Sequence, residues 1–278
     1  MNRPFAIISL IVFYLFPVND GFSQSMPNTG QQPYLKPNKA YFFSYLTDAG
    51  QIAMAPLRWN GKQWAGFAGM AGVTGLAYWQ DEAVRDFFQR NRTQTGEKIA
   101  EYAVAPLGTY YLIPIVGSMY LYGLAAENAD AETAALLSGK AIVLTGAYTI
   151  LFKFVFQRQR PGDGNPPDHN NWNWLGGGFQ YDAFPSGHTA LAFATAATLS
   201  TYYHNKWWVG ALSYSLAALV GVSRVYTDDH WASDVVAGAA LGYSIGRLVT
   251  HRQQKTRQVS ISPFGNGFAT GVSFTFRL

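Results

Sequence analysis

Two basic residues near the end of a predicted helix are spaced to bind one anion. Lys153 and Arg160 are seven positions apart, which is about two helical turns, so both side chains project from one face. Pro161 and Gly162 follow Arg160 and end the helix. The alternative is that both cations only extend to a membrane surface, which is also the role expected of Arg158. The spacing therefore indicates an anion site or a membrane edge.

A second anion-binding feature is the sequence Pro185-Ser186-Gly187-His188, directly before an uncharged helical stretch. Ser186 is placed to act as the helix N-cap, and free amides at a helix start bind anions. Gly187 allows close approach of the backbone, and His188 in the first turn can donate a proton. An ordinary helix cap followed by an unrelated histidine is the alternative.

A third segment contains a candidate nucleophile. Ser223-Arg224 is followed by His230 and, four positions later, by Asp234. Residues with that spacing are neighbours on one helical face, where the carboxylate can accept a hydrogen bond from one imidazole nitrogen and leave the other free. A nucleophilic histidine needs such an arrangement. A purely structural His-Asp pair is the alternative.

The joint occurrence of the three segments is stronger evidence for a functional site than any one segment alone. They fix 11 positions, and with uniform residue frequencies their joint occurrence in a chain of this length has a chance on the order of 10⁻⁷. In this order they resemble the signature of the phosphatidic acid phosphatase type 2 and vanadium haloperoxidase superfamily, and all 11 positions match. The resemblance spans roughly residues 60 to 250, and its bacterial membrane-associated lipid phosphatases are the members that the chain resembles most.

The resemblance implies a role for each residue. His230 would attack phosphorus and form a phosphohistidine, Asp234 would orient it, and His188 would protonate the leaving oxygen. Charge on the phosphate oxygens would be stabilised by a further set of residues: Lys153, Arg160, Ser186, Gly187 and Arg224. Three cations would then do the work of a metal ion, so no metal and no cofactor is expected.

Composition excludes several classes of protein. Only 13% of the 278 residues are charged and 49% are hydrophobic, so extended disorder is excluded for most of the chain. There is no cysteine, which removes thiol nucleophiles and zinc-thiolate sites. The net charge is +4 without a long basic block, so nucleic acid is not an expected partner.

Charge-free stretches predict an all-α fold, a six-helix transmembrane bundle. Three of the six approach the length of a membrane span: Gln63 to Gln80, Tyr102 to Ala126 and Ala183 to Asn205. Charged residues cut the other three short: Ala141 to Phe152, Trp207 to Ser223 and Val235 to Gly246. A mean hydropathy of -0.02 is low for six lipid-facing helices, so a compact soluble helical protein stays open.

The chain divides into four predicted parts. Residues 1–24 are predicted to be a signal peptide or an N-terminal anchor, and residues 25–60 a linker and pre-helix segment. Residues 61–250 form the helical domain that resembles the phosphatidic acid phosphatase type 2 family. Residues 251–278 form a C-terminal tail whose alternating pattern predicts a short β-hairpin.

Features beside the three segments lead to further expectations. Gly238, Gly242 and Gly246 continue the four-residue spacing of His230 and Asp234, and small residues at that spacing let a second helix approach closely. Two other expectations concern loop residues: substrate gating by Trp172 and Trp174, and capping of the last helix by Asp228 and Asp229.

Together these observations predict a metal-independent phosphatase that acts on membrane lipid phosphates or diphosphates. A soluble periplasmic non-specific acid phosphatase with the same site is the alternative, and a vanadium-dependent haloperoxidase or a lipid-binding protein is less favoured. Basic residues outnumber acidic ones at the end of the bundle opposite the three segments, which indicates an inner-membrane protein whose active site faces the periplasm, or a periplasmic protein. No oligomeric state is predicted.

Overall fold

The computed structural model describes residues 35–176, 181–256, 259–266 and 269–276, with side chains described up to residue 253. The predicted signal peptide or anchor over residues 1–24 lies outside the described residues. The same is true of Gly177 and Gly178 in the predicted gating loop.

The core of the protein is all-helical, as predicted, but the helix count differs. Within the described ranges nine α-helices replace the expected six: α1 Lys39–Met54, α2 Gly61–Trp79, α3 Asp81–Arg90, α4 Gln94–Lys98, α5 Leu112–Ala125, α6 Ala129–Phe156, α7 Gly187–Tyr202, α8 Trp207–Tyr226 and α9 Ala232–Thr256. A π-helical segment, Ile99–Val104, and a 3-10 turn, Ala105–Gly108, connect α4 to the region before α5.

Asparagine side chains begin several of these helices. Asn38, Asn60 and Asn128 accept hydrogen bonds from backbone amides at the starts of α1, α2 and α6. Gln63 completes a capping box with Asn60, since its side chain bonds back to the Asn60 amide. Local sequence therefore defines where these helices begin.

Charged residues do not interrupt α6, contrary to the prediction that they would shorten it. Lys140 is only 1% exposed, and its Nζ donates to Ser44 Oγ at 2.6 Å and to Asp48 Oδ2 at 3.0 Å. A buried charge is tolerated where a partner compensates its lost hydration. The pairing with α1 explains why α6 continues through Lys140 as one helix.

The membrane-span prediction is confirmed only in its coarse form. In the described part of the chain, α6 and α8 are long and apolar enough to cross a membrane. The segments Gln94–Gly108 and Leu112–Ala125, bent by 50°, would add a third span if they act as one. The predicted spans Gln63 to Gln80 and Ala183 to Asn205 do not meet this test, because α2 is too weakly apolar and α7 has only 16 residues.

Helix α7 lies at the centre of the bundle, packed against α6, α8 and α9. Most of its side chains are small alanines and threonines that are buried on every face of the helix. Such a helix fits among three neighbours because small residues let the backbones approach closely.

The closest approach is between α7 and α9, and the predicted glycine stripe produces it. A Cβ atom at Gly238, Gly242 or Gly246 would lie 2.4, 2.0 or 2.4 Å from the carbonyl oxygens of Ser186, Ala190 and Ala194, respectively. Real side chains do not tolerate such distances, so no larger residue fits unless the helices separate. The prediction of a close helix contact is confirmed, and α7 is the partner.

The C-terminal residues form two antiparallel strands, β1 Val259–Asn266 and β2 Ala269–Phe276, with Val259 opposite Phe276. They pair with each other in one two-stranded sheet.

Gly242→Ala is expected to destabilise the protein by about 1–3 kcal/mol, because the added methyl group forces α7 and α9 apart. The matched control is Gly139→Ala in α6, where a Cβ atom meets nothing within 4 Å. This control should be neutral or stabilising by up to about 1 kcal/mol through helix propensity. Thermal unfolding in detergent measures both, and equal unfolding midpoints for the two variants would contradict the close contact.

Candidate active site

The ends of four helices meet at one end of the bundle and bring the three sequence segments together. The Ser186 amide, before α7, donates to the Asp234 carbonyl in α9 at 3.0 Å. The His230 amide donates to the Arg224 carbonyl at the end of α8 at 3.2 Å. The chain that leaves α6 joins this group through Lys153 and Arg160. The three segments are therefore brought together at one end of the bundle.

Lys153 and Arg160 share one carboxylate, that of Asp182. Arg160 donates from Nε and Nη2 to the two Asp182 oxygens at 2.7 and 3.0 Å, and Lys153 Nζ lies 3.2 Å from Oδ2. Burial alone would raise the pKa of Asp182, but the hydrogen bond from Arg160 and the charge of Lys153 hold it well below its usual range. The two cations thus meet at one carboxylate, but not on one helical face as predicted, because α6 ends at Phe156 and Arg160 lies in extended backbone beyond it.

A second carboxylate joins Arg160 to the remaining cation, Arg224. Asp229 Oδ1 accepts from Arg160 Nη1 at 3.3 Å, and Asp229 Oδ2 lies 3.3 Å from Arg224 Nη1. The expectation that Asp228 and Asp229 cap the last helix is wrong. Asp228 forms two hydrogen bonds with Arg85 of α3, at 2.7 and 2.6 Å. Both carboxylates balance arginine charges instead.

His188 adjoins this cationic group and lines a cavity of about 380 Å³. The cavity is lined by His188, Arg224 and six further residues: Glu101, Tyr102, Ala105, Pro106, Tyr110 and Tyr111. The 3-10 turn before α5 forms its wall, since a Cβ atom at Gly108 would lie 2.6 Å from the His188 carbonyl oxygen. Burial, and then the positive charge of Arg224, lower the pKa of His188 to about 3.

His230 and Asp234 lie side by side, though not in the predicted helical arrangement. His230 belongs to the turn before α9, and Asp234 to the first turn of that helix. His230 Nδ1 is 3.7 Å from Asp234 Oδ2, too far for a hydrogen bond, and finds no other partner among the described residues. Burial lowers the pKa of His230, which keeps its imidazole neutral at pH 7.

The two remaining predicted phosphate ligands lie at the start of α7. Ser186 is the N-cap residue, but its hydroxyl is buried and bonds to the Thr189 hydroxyl at 2.9 Å instead of capping the helix. Gly187 lies beside Lys153, because a Cβ atom there would be 3.9 Å from Lys153 Cε. The Gly187 position therefore adjoins the cations, and a role for Ser186 as a phosphate ligand stays a prediction.

Arg158 is the residue most clearly misjudged from the sequence. It is fully buried, not at a surface, and it donates to Asp234 Oδ1 and to Asp81 Oδ2, each at 2.7 Å. Arg158 is two positions from Arg160, and on a continuous helix that spacing places the two side chains on different faces. The helix in fact ends at Phe156, and Gln157 has a left-handed backbone, so the helical projection does not apply to Arg158.

The two tryptophans of the predicted gating loop differ in their environment: Trp172 contacts buried residues, and Trp174 is exposed. Trp172 Nε1 donates to the Tyr78 hydroxyl at 3.3 Å, and the Trp172 ring lies 4.8 Å from the Arg158 guanidinium. Trp174 stacks on Trp172 and is 60% exposed. Trp172 therefore packs beside Arg158, and substrate gating by the loop stays a prediction.

Comparison with known proteins gives one family and several relatives. Residues 134–258 match the model of the PAP2 superfamily. Lipid A 1-phosphatase of Porphyromonas gingivalis is 30% identical over 140 residues, 49% of this chain and 28% of that protein. Lipid A 4'-phosphatase of the same organism is 32% identical over 103 residues, 35% and 41% of the two chains. The matched regions thus cover less than half of either relative.

A solved structure, that of Aquifex aeolicus LpxE, aligns with 62% of this chain and 94% of its own at 25% identity and a TM-score of 0.49.

Anion binding is expected to be coupled to proton uptake by His188. A dianion among the cations adds a negative charge that raises the pKa of His188 from about 3, so binding takes up a proton and affinity rises as pH falls. Sulfate is a suitable probe, because its own charge is constant between about pH 5 and 8. Calorimetry should show tighter sulfate binding at lower pH, by at most about tenfold per pH unit. The slope should vanish in His188→Asn, and a slope that persists would place the proton elsewhere.

Asp182→Asn is expected to tighten sulfate binding at pH 7 by about two- to fivefold, because the carboxylate competes with the anion for Lys153 and Arg160. Asp86→Asn, an exposed acid on α3, is the matched control for a lost negative charge. Weaker sulfate binding in Asp182→Asn would show that the carboxylate orients the two cations rather than competing for them.

Proposed function

We propose that the protein hydrolyses phosphate monoesters or diphosphates of membrane lipids, a proposal supported by the match of residues 134–258 to the PAP2 superfamily model. The observation that carries the proposal is the convergence of three cations and two histidines at one end of the bundle. Lys153, Arg160 and Arg224 are joined through the shared carboxylates, while His188 and Arg224 line one cavity.

The three cations supply the electrostatic part of the reaction. Phosphoryl transfer spreads charge over three equatorial oxygens, so catalysis depends mainly on positioning and on positive charge around them. Arg160 has a planar fork that matches two phosphate oxygens, and Lys153 acts as a point charge beside the Gly187 amide. This arrangement supports hydrolysis without a metal ion.

The nucleophile is His230, which is neutral because burial lowers its pKa. One imidazole nitrogen attacks phosphorus as the bond from phosphorus to the lipid oxygen breaks, giving a phosphohistidine. Protonated His188 donates its proton to the departing lipid oxygen. Water then attacks phosphorus, the phosphorus–nitrogen bond breaks, and His188 accepts the proton that water loses. Inorganic phosphate leaves, and both histidines return to their initial states.

The cavity beside His188 supports an organic leaving group. The proton donor lines this cavity, so the departing oxygen and its substituent lie there during the first step. Three tyrosines and Glu101 supply aromatic faces and polar atoms around the group. Two relatives named lipid A phosphatases, together with two helices suited to cross a membrane, favour a lipid as that substituent.

We also propose that the site faces the periplasm from the inner membrane. The end of the bundle opposite the site contains the larger share of basic residues, among them Lys206 and Arg247. Basic residues accumulate on the cytoplasmic side of membrane proteins. A substrate in the outer leaflet would then reach the site from the bilayer.

Phosphate release in mild detergent with EDTA tests the proposal. Purified protein is given lipid phosphates, lipid diphosphates and soluble phosphomonoesters, beside His230→Ala and the control His204→Ala from the turn between α7 and α8. We expect release from lipids, unaffected by EDTA, and reduced at least about 10³-fold by His230→Ala alone.

The other outcomes are equally informative. Release from soluble esters alone would indicate a non-specific acid phosphatase, and activity lost in EDTA would contradict metal-independent hydrolysis. Unchanged turnover in His230→Ala would remove the proposed nucleophile. Acid-labile phosphate on the wild-type protein after rapid quenching would support the phosphohistidine.

A further inference from the structure

Every donor of the buried Arg158 guanidinium is used. Nε and Nη2 donate to the His169 carbonyl at 3.1 and 2.9 Å, and Nη2 also donates to Asp81 Oδ2 at 2.7 Å. Nη1 donates to Ser233 Oγ and to Asp234 Oδ1, both at 2.7 Å. A guanidinium has five N–H groups, and these five hydrogen bonds occupy all of them. Arg158 is therefore held in one orientation.

Aromatic rings complete the enclosure of Arg158. The rings of Tyr78, Trp172 and Trp231 lie 4.9, 4.8 and 5.4 Å from its guanidinium carbon. Its side chain is 0% exposed, whereas Lys153 and Arg160 are 15% and 29% exposed. Arg158 consequently has no free donor and no open face with which to bind a phosphate. All of its hydrogen bonds and ring contacts are with other groups of the protein.

The second partner of the guanidinium, Asp81, anchors the same group from α3. Asp81 Oδ1 accepts the Ser233 amide at 2.9 Å, and Asp81 Oδ2 accepts the Ser233 hydroxyl at 2.6 Å. Arg158, Asp81 and Ser233 thus form a closed buried triangle at the start of α9. One corner of this triangle, Arg158, contacts the Asp234 carboxylate.

We propose that Arg158, anchored by Asp81, is a positioning residue that fixes the Asp234 carboxylate against the nucleophile His230. The inference rests on the proposed function of His230. Asp234 Oδ1 is bound by Arg158, while Oδ2 accepts the Trp231 amide at 2.9 Å and faces His230 Nδ1. The two bonds prevent rotation of the carboxylate and direct Oδ2 at the imidazole.

The position of Asp234 matters for catalysis because its carboxylate interacts with the charge that develops on the His230 imidazole. Attack on phosphorus makes the His230 imidazole cationic, and a fixed negative charge beside Nδ1 stabilises that state. Asp234 is fully buried, and burying a carboxylate is costly unless a cation and hydrogen bonds replace its lost hydration. Arg158 supplies the cation at Oδ1, on the side away from His230. The Asp234 carboxylate thus contacts a cation through Oδ1 and faces the His230 imidazole through Oδ2.

A lysine cannot replace Arg158 in this role. An ammonium group has three donors around one point, whereas the observed partners lie along the planar fork of a guanidinium. Arg158→Lys preserves the charge and loses the bond pattern, so it separates the two contributions. Arg158→Met removes both, and Asp81→Asn keeps the shape of the anchor while removing its charge.

The test measures phosphohistidine formation and anion binding in the same variants. Full-length wild type, Arg158→Lys, Arg158→Met and Asp81→Asn are mixed with a lipid phosphate and quenched rapidly, and acid-labile phosphate on the protein is counted. Sulfate affinity, measured by calorimetry, reports whether Lys153, Arg160 and Arg224 remain in place. Lys140→Met is the matched control, because it removes another buried cation from the bundle.

In Arg158→Met we expect phosphohistidine formation to slow by about 10- to 100-fold, as is typical when a group that orients a catalytic residue is lost. Arg158→Lys should restore only part of the rate, and Asp81→Asn should lose less than Arg158→Met. Sulfate affinity should stay within about twofold of wild type in all three, since the anion contacts are separate. Imidazole ¹⁵N shifts of His230 should show proton exchange between the two ring nitrogens in Arg158→Met.

Three results would overturn the inference. Formation rates equal to wild type in Arg158→Met would show that Asp234 needs no such support. Parallel loss of sulfate binding and phosphohistidine formation in all three variants would assign the network to folding of the whole site. Equal slowing in Lys140→Met would make the effect a general loss of stability. Absence of phosphohistidine in wild type, by contrast, would contradict the proposed function itself.

Discussion

The distance between α7 and α9 is the constraint on which the site depends. Gly238, Gly242 and Gly246 place one helix backbone directly against the carbonyl oxygens of the other. His188 lies in the first turn of α7 and His230 precedes α9, so the contact between the two helices determines how far apart the two histidines lie. The Ser186 amide, bonded to the Asp234 carbonyl, ties the same helix starts together at the level of the site. The two histidines are therefore related by main-chain contacts, which move less than side chains.

Charge balance is the second determinant of the site. Lys153, Arg160 and Arg224 would repel one another if they converged alone, and Asp182 and Asp229 bridge them in pairs. Because Arg160 contacts both carboxylates, the group behaves as one connected network rather than three separate ion pairs. The two carboxylates thereby offset the repulsion among the three cations.

The sequence predicted the parts of the site that depend on residue type and spacing. The glycine stripe packs as expected, because it follows from helical periodicity. Lys153 and Arg160 also converge, but Arg160 lies beyond the end of α6, so their meeting at Asp182 depends on the chain after Phe156 and not on helical spacing. Helical periodicity does not predict contacts between residues that are distant in the sequence. Asp48 lies 92 positions from Lys140, so no local sequence pattern predicts that the two residues pair. The sequence therefore predicts a shorter α6 than the structure shows.

Loop geometry limited the prediction in the same way. A helix extended past Phe156 would place Arg158 at a surface, but α6 ends there. The pairing of Asp182 with Arg160 and Lys153 depends on a loop that returns to the end of α6, and no local sequence pattern indicates it. The hydrogen bond expected between His230 and Asp234 assumed a helix that begins only after His230. Local periodicity therefore predicts the helices. The structure departs from the predictions where buried pairs form between distant segments of the chain.

The buried pair of Lys140 and Asp48 also bears on how the chain is assembled during synthesis. Lys140 lies within a helix suited to cross a membrane, and a lone ammonium at that depth opposes insertion. Asp48 is synthesised before Lys140, since α1 precedes α6 in the chain. Contact with Asp48 of α1 lowers the cost of burying Lys140, so α6 is more easily accommodated in a bilayer when paired with α1 than alone.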